Sequence, residues 1–157
     1  MSTWLVRVDA ETTTLSCDDY QHVAPLGAVQ ISTELLLADP PRPEELTNAI
    51  GAVVDQLDDV VREREDALGA DLAVTGAEVE AIAAVEVGGA PTLPMVLSRD
   101  AAEDVFRTLA TEGTADRRHN PGLPPALVGT VVGACCILVA LMRRLHLDAV
   151  TVVARER

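Results

Sequence analysis

The sequence predicts an α/β domain: a mixed five-stranded sheet that opens as a three-strand antiparallel meander and is covered by helices. Three observations carry this. The first 24 residues alternate apolar and polar side chains with turn residues between the runs. The middle of the chain carries apolar residues at helical spacing. A long stretch, Pro121 to Met142, holds no charge at all. At 157 residues the chain is about one domain, and 48% hydrophobic against 24% charged residues excludes a disordered segment.

Trp4 to Val8 reads as the first strand, and Thr12 to Cys17, rich in β-branched residues, as the second. Between them lies the bend Asp9-Ala10-Glu11. Asp18-Asp19 is a turn signal, and Tyr20 to Ala24 forms the third strand. Pro25 and Gly27 break the pattern, and Ile31 to Leu37 can form a short helix. Asp39-Pro40-Pro41-Arg42-Pro43 is a rigid elbow, with Pro43 suited to the first position of a helix and Glu44 and Glu45 to its positive end. Leu46, Ile50, Val53, Leu57 and Val60 then recur at steps of four and three, giving one apolar stripe, with Gly69 as the stop.

Asp71 to Val74 reads as a short strand, Thr75-Gly76 as a turn, and Ala77 to Val85 as a helix. Gly88 to Pro94 is a loop, and Ser98 caps a helix reaching about Leu109. Ala126 to Met142 is almost wholly apolar, with Gly129 and Gly133 in a GxxxG spacing. It reads as a buried core helix whose small residues permit close packing. A membrane span with Arg143 and Arg144 on the cytoplasmic side is the alternative, but about 17 residues fall short of the roughly 20 a span needs. Ala149 to Val153 is the closing strand. The order β-β-β-α-α-β-α-α-α-β is that of one lobe of the actin-like, or ribonuclease H-like, fold.

Charge and composition exclude several function classes. The net charge is −13, and all twelve basic residues are Arg. Such a surface repels nucleic acid, polyphosphate and anionic lipid at long range. Trp4, Tyr20 and Phe106 are the whole aromatic set, too few for a base-stacking platform. Three Cys without metal-ligand spacing fit buried thiols in a reducing cytoplasm. The three His are scattered and form no metal motif.

Four stretches resemble the Ppx/GppA phosphatase family, which comprises exopolyphosphatases and guanosine pentaphosphate phosphohydrolases. APLGAVQISTELLLADPPRPEEL, Ala24 to Leu46, is similar to the family's Leu-Pro-Leu-Gly-Ala-Val segment with its Asp-Pro-Pro elbow and Pro-Glu-Glu-Leu helix start. LAVTGAEVEAIAAV, Leu72 to Val85, resembles the second phosphate loop, Gly-Gly-Thr followed by a helix. His119 to Val153 resembles the closing helix and strand, and WLVRVDAETTT sits where the family has a strand ending in Asp-Ile-Gly-Gly-Gly-Ser. The likeness spans nearly the whole chain, residues 1–157, but only the second half of a family enzyme. The first lobe, which carries the family's catalytic glutamate, has no counterpart.

The resemblance places residual phosphate-loop positions at Asp9, Glu11 and Thr12 and at Thr75, Gly76 and Ala77. Both loops depart from the family pattern. The first has exchanged its glycines for Ala10-Glu11-Thr12, although a phosphate needs the close backbone approach that glycine permits. The second has Glu78 and Glu80 in the first helical turn, where the N–H groups and dipole would otherwise attract an anion. The expectation is therefore a degenerate half-domain that needs no cofactor, has no catalytic residue or metal site, and works by association, as a homodimer or with a separate first-lobe protein. The alternative is the second lobe of a phosphohydrolase of polyphosphate or guanosine pentaphosphate, completed by a missing first lobe and using Mg²⁺.

Overall fold

The computed structural model describes residues 3–156. Its strands are β1 (Trp4–Val8), β2 (Thr13–Cys17), β3 (Tyr20–Ala24), β4 (Leu72–Thr75), β5 (Met95–Ser98) and β6 (Ala149–Val152). Its helices are α1 (Ala28–Glu34), α2 (Pro43–Glu63), α3 (Ala77–Val87), α4 (Arg99–Thr111), the short α5 (Thr114–Arg117) and α6 (Val131–Arg144). All six strands form one sheet in the order β3-β2-β1-β4-β6-β5. The meander β1-β2-β3 is antiparallel, β1, β4 and β6 run parallel, and β5 returns antiparallel at the edge.

The sheet has six strands, one more than the sequence reading. Met95 to Ser98 pairs with Ala149 to Val152, where a loop leading into a helix cap was expected. The segment is only four residues long and on an edge, and its outward position is an apolar residue, Val96, 70% exposed, so no apolar–polar alternation marks it in the sequence. Ser98 serves both elements: it ends β5, and its hydroxyl accepts from the Ala101 N–H at 3.1 Å. A second difference is the end of α2, which stops at Glu63, six residues before Gly69. There Arg64 leaves the helix and lays its guanidinium over the rings of Trp4 and Tyr20, 5.3 and 5.6 Å from their centroids.

The core lies between the sheet and the helices. Trp4, Val6 and Val8 of β1 and Leu72 and Val74 of β4 point into it and are buried, as the period of two requires. The apolar stripe of α2 meets them through Val53, Leu57 and Val60, with Ala49 replacing Leu46 as its most buried N-terminal member. Val131 to Met142 of α6 is buried at every position, so this part of the charge-free stretch is a core helix; it starts five residues later than expected, Ala126 being exposed in a short 3-10 turn. No helix among the described residues is long and apolar enough to cross a membrane. The two glycines of the GxxxG spacing differ. A Cβ on Gly133 would meet the Ala28 carbonyl and the Ser32 hydroxyl of α1, whereas Gly129 faces open space. Cys135 and Cys136 sit within this helix, and burial pushes both thiols up, that of Cys136 to about 12.

From β1 to β4 and from β4 to β6 the chain steps the same way across the sheet. Right-handed crossovers put both helical connections on one face. The other face carries Leu5 and Arg7 of β1, Thr14 and Ser16 of β2, Val23 of β3 and Val96 of β5, as the registers require. Leu5 is 39% and Val23 52% exposed. Parallel strands are ordinarily covered on both sides, so an open face over β1, β4 and β6 is unusual. Arg7 is the one charged side chain among its strand residues.

Candidate functional site

In open α/β sheets ligand crevices lie outside the carboxyl ends of the parallel strands. Here that end holds a cleft of about 580 Å³. Its walls come from the end of β1 (Val8, Asp9, Ala10), the β4–α3 turn (Thr75 to Glu78) and the segment after β6 (Val153 to Glu156). Leu5 and Arg7 extend the wall onto the open face of the sheet. Of the six loop positions singled out from the sequence, Asp9, Thr75, Gly76 and Ala77 line this cleft together. Glu11 and Thr12 belong to the same β1–β2 turn but lie outside the lining.

The β1–β2 turn is fixed through its carbonyls. The Ala28 N–H donates to the Asp9 carbonyl at 3.0 Å, and the N–H groups of Val29 and Gln30 both donate to Ala10, each at 3.0 Å. The start of α1 is thus satisfied by this turn, an internal partner for donors that could face an anion. Gly27 makes the approach possible, since a Cβ there would run into the Ala10 carbonyl. The Asp9 carboxylate accepts from Arg7 Nε at 2.9 Å, so the charge at the strand end is already paired.

The β4–α3 turn is as tight. Gly76 adopts φ 149°, ψ 158°, a conformation open essentially to glycine alone, and a Cβ there would come within 2.5 Å of the Val8 carbonyl. Gly76 therefore brings α3 hard against the end of β1. Glu78 stands at the second position of α3, 7% exposed. Burial holds its carboxyl above the usual carboxylate range, although its own backbone N–H and the charge of Arg155 pull it down; Asp9 adds to the rise. The helix start thus already carries a buried carboxyl group of its own. The buried Glu78 Oε2 and Thr75 Oγ1 have no hydrogen-bond partner. Thr75 is itself only 8% exposed.

The remaining charges at the mouth pair with each other. Arg155 Nε donates to Glu80 Oε2 at 2.9 Å and its backbone N–H to the same oxygen at 3.0 Å. Both arginines of the cleft, Arg7 and Arg155, are thereby engaged by carboxylates. Sequence reasoning passed over both: Arg7 looked like an ordinary exposed strand residue, and Arg155 lies in a short tail without periodicity. Among the described residues no group of three His, Cys, Asp or Glu side chains is placed to hold a metal ion.

No sequence-family model matches the chain, and no curated protein does. Solved structures do. An exopolyphosphatase-like protein superposes with a TM-score of 0.88 at 17% identity, covering 97% of this chain and 55% of the other. The Aquifex aeolicus Ppx/GppA phosphatase gives 0.85 at 16% identity, over 98% of this chain and 53% of its own. An exopolyphosphatase from Cytophaga hutchinsonii gives 0.82 at 12% identity, with 98% and 53% coverage. The fold is that of one lobe of these proteins, and the chain spans about half their length.

Proposed function

We propose that this chain is a binding module on a Ppx/GppA-like half-domain, without phosphohydrolase activity of its own. The observation that carries this reading is the Glu78 carboxyl at the start of α3, buried in the place where the resemblance puts a phosphate. Three further features support it. The turn after β1 is committed to α1 through its carbonyls. Both cleft arginines are held by carboxylates. The net charge of −13 opposes a polyanionic substrate.

The module acts by association in the cytoplasm, as a homodimer or with a separate first-lobe protein. The open sheet face, with Leu5, Val23 and Val96 exposed, is the surface that such a partner would cover. Sedimentation of the purified chain across concentrations, paired with an affinity pull-down, tests the association. A single monomeric species and no captured first-lobe protein would remove it. Release of phosphate from polyphosphate or guanosine pentaphosphate by the purified chain would remove the non-catalytic reading.

Coverage of only about half of the matched structures favours one second reading: the chain supplies the second lobe of a phosphohydrolase. Mg²⁺ would then arrive with the substrate phosphates, and Asp9 and Glu78, two of the three carboxyl groups lining the cleft, would meet it. The Arg7 salt bridge on Asp9 and the burial of Glu78 make both poorly suited to that task. Activity that appears only on mixing with a first-lobe protein, and is lost in Asp9→Asn, separates this reading from the first.

A further inference from the structure

We infer that the cleft at the ends of β1, β4 and β6 takes a cationic nitrogen group, a primary ammonium or a guanidinium, in place of an anion. This rests on the reading of the cleft as one that has lost its grip on phosphate. Buried polar atoms are nearly always partnered, and a carboxyl oxygen left alone is costly. Two such oxygens belong to residues on either side of the Gly76–Ala77 turn. Thr75 Oγ1 closes β4 and Glu78 Oε2 opens α3; both are buried, both lack a partner, and both residues line the cleft. Glu78 can only accept when ionised, so what is missing is a donor.

The charges around them select which donor. Arg7 is bound to Asp9 at 2.9 Å and Arg155 to Glu80 at 2.9 Å, so neither cation of the wall is left for Glu78. No ion pair within 4.0 Å is made by Glu78 among the described residues. Glu156 adds further negative charge to the lining. A phosphate would meet carboxylates and no free cation. An ammonium or guanidinium would give Glu78 its counter-charge and Thr75 its donor, and a cleft of about 580 Å³ has room for it and for the chain that carries it. The group can belong to a small diamine or to a Lys or Arg side chain presented by a protein partner, and the test distinguishes them.

The experiment is a titration of the full ¹⁵N-labelled chain followed by amide shifts. The probes are 1,4-diaminobutane, an acetylated Gly-Arg-Gly amide, tetramethylammonium, which has charge but no N–H donor, and inorganic pyrophosphate. The expected result is saturable shifts centred on Gly76 to Val79 with diaminobutane, the arginyl peptide or both. Whichever binds tighter identifies a free amine or a partner side chain as the source. Tetramethylammonium should bind about tenfold more weakly or not at all. Glu78→Gln should cost about tenfold, and Thr75→Val, which keeps the shape, should weaken binding separately. Equal responses to diaminobutane and tetramethylammonium, binding unchanged in Glu78→Gln, or no shift with either donor would overturn this inference and leave the loss of phosphate binding intact. Pyrophosphate shifting the same amides would overturn both.

Discussion

The Arg155 guanidinium lies 2.9 Å from the Glu80 carboxylate and fastens the segment after β6 to the first turns of α3. Arg155 also acts at longer range on Glu78, whose carboxyl it pulls down against the rise caused by burial. Arg155→Ala should therefore raise the Glu78 titration point further. The ¹³C shift of the Glu78 carboxyl followed against pH measures this. A titration unmoved by the substitution would show that burial alone sets the value.

Glu78 should also leave its mark on stability. Its folded-state titration point is raised above the ordinary 4.5. The folded protein therefore holds the proton more tightly than the unfolded chain does. Its contribution is fully present below the unfolded value and is lost as pH rises through the folded one. Glu78→Gln removes this loss. At pH 7.5 it should raise stability by about 1 kcal/mol, or about 3 °C in Tm for a chain of this size. The advantage should vanish below about pH 4. Thermal melts of both proteins from pH 4 to 8 check the sign.

Gly76 fixes how closely α3 meets β1. Gly76→Ala forces a side chain into a backbone conformation it does not adopt and against the Val8 carbonyl. The expected cost is at least about 2 kcal/mol, or a drop of 5 °C or more in Tm. Gly129→Ala, which meets nothing within 4 Å, is the control and should change Tm little.

Much of the fold was legible because burial and period agree. The alternation of β1, the helical stripe of α2 and the uncharged run of α6 each state one face or one environment. What was not legible depends on partners distant in sequence. β5 exists because Ala149 to Val152 offers it an edge, and its own four residues carry no pattern. α2 stops early because Arg64 turns to Trp4 and Tyr20. At the site, the sequence indicated a carboxylate at the start of α3 and did not say that Glu78 is buried while Glu80 pairs outward with Arg155. That division follows from the tail after β6, 75 residues away from Glu80.

Arg117 is a further case of the same kind. It is buried, and burial pulls its basicity down. Its guanidinium donates to the carbonyls of Leu109 at 3.0 Å, Val128 at 2.9 Å and Glu112 at 2.7 Å, joining the end of α4 to the approach to α6. Arg117→Met leaves these carbonyls without donors and should cost at least about 3 kcal/mol. Arg117→Lys, with a point charge in place of a planar fork, should recover only part. Denaturant midpoints of the three proteins give the comparison.

In the proposed reading, the protein's own carboxyl and carbonyl groups occupy the positions from which a phosphate would be held. Calorimetric titration of the purified chain with polyphosphate, at low ionic strength where any anion site is strongest, tests it most directly. A flat trace, unchanged for ATP and guanosine tetraphosphate, is the expected result. Saturable micromolar binding that weakens with salt and with Gly76→Ala would contradict it.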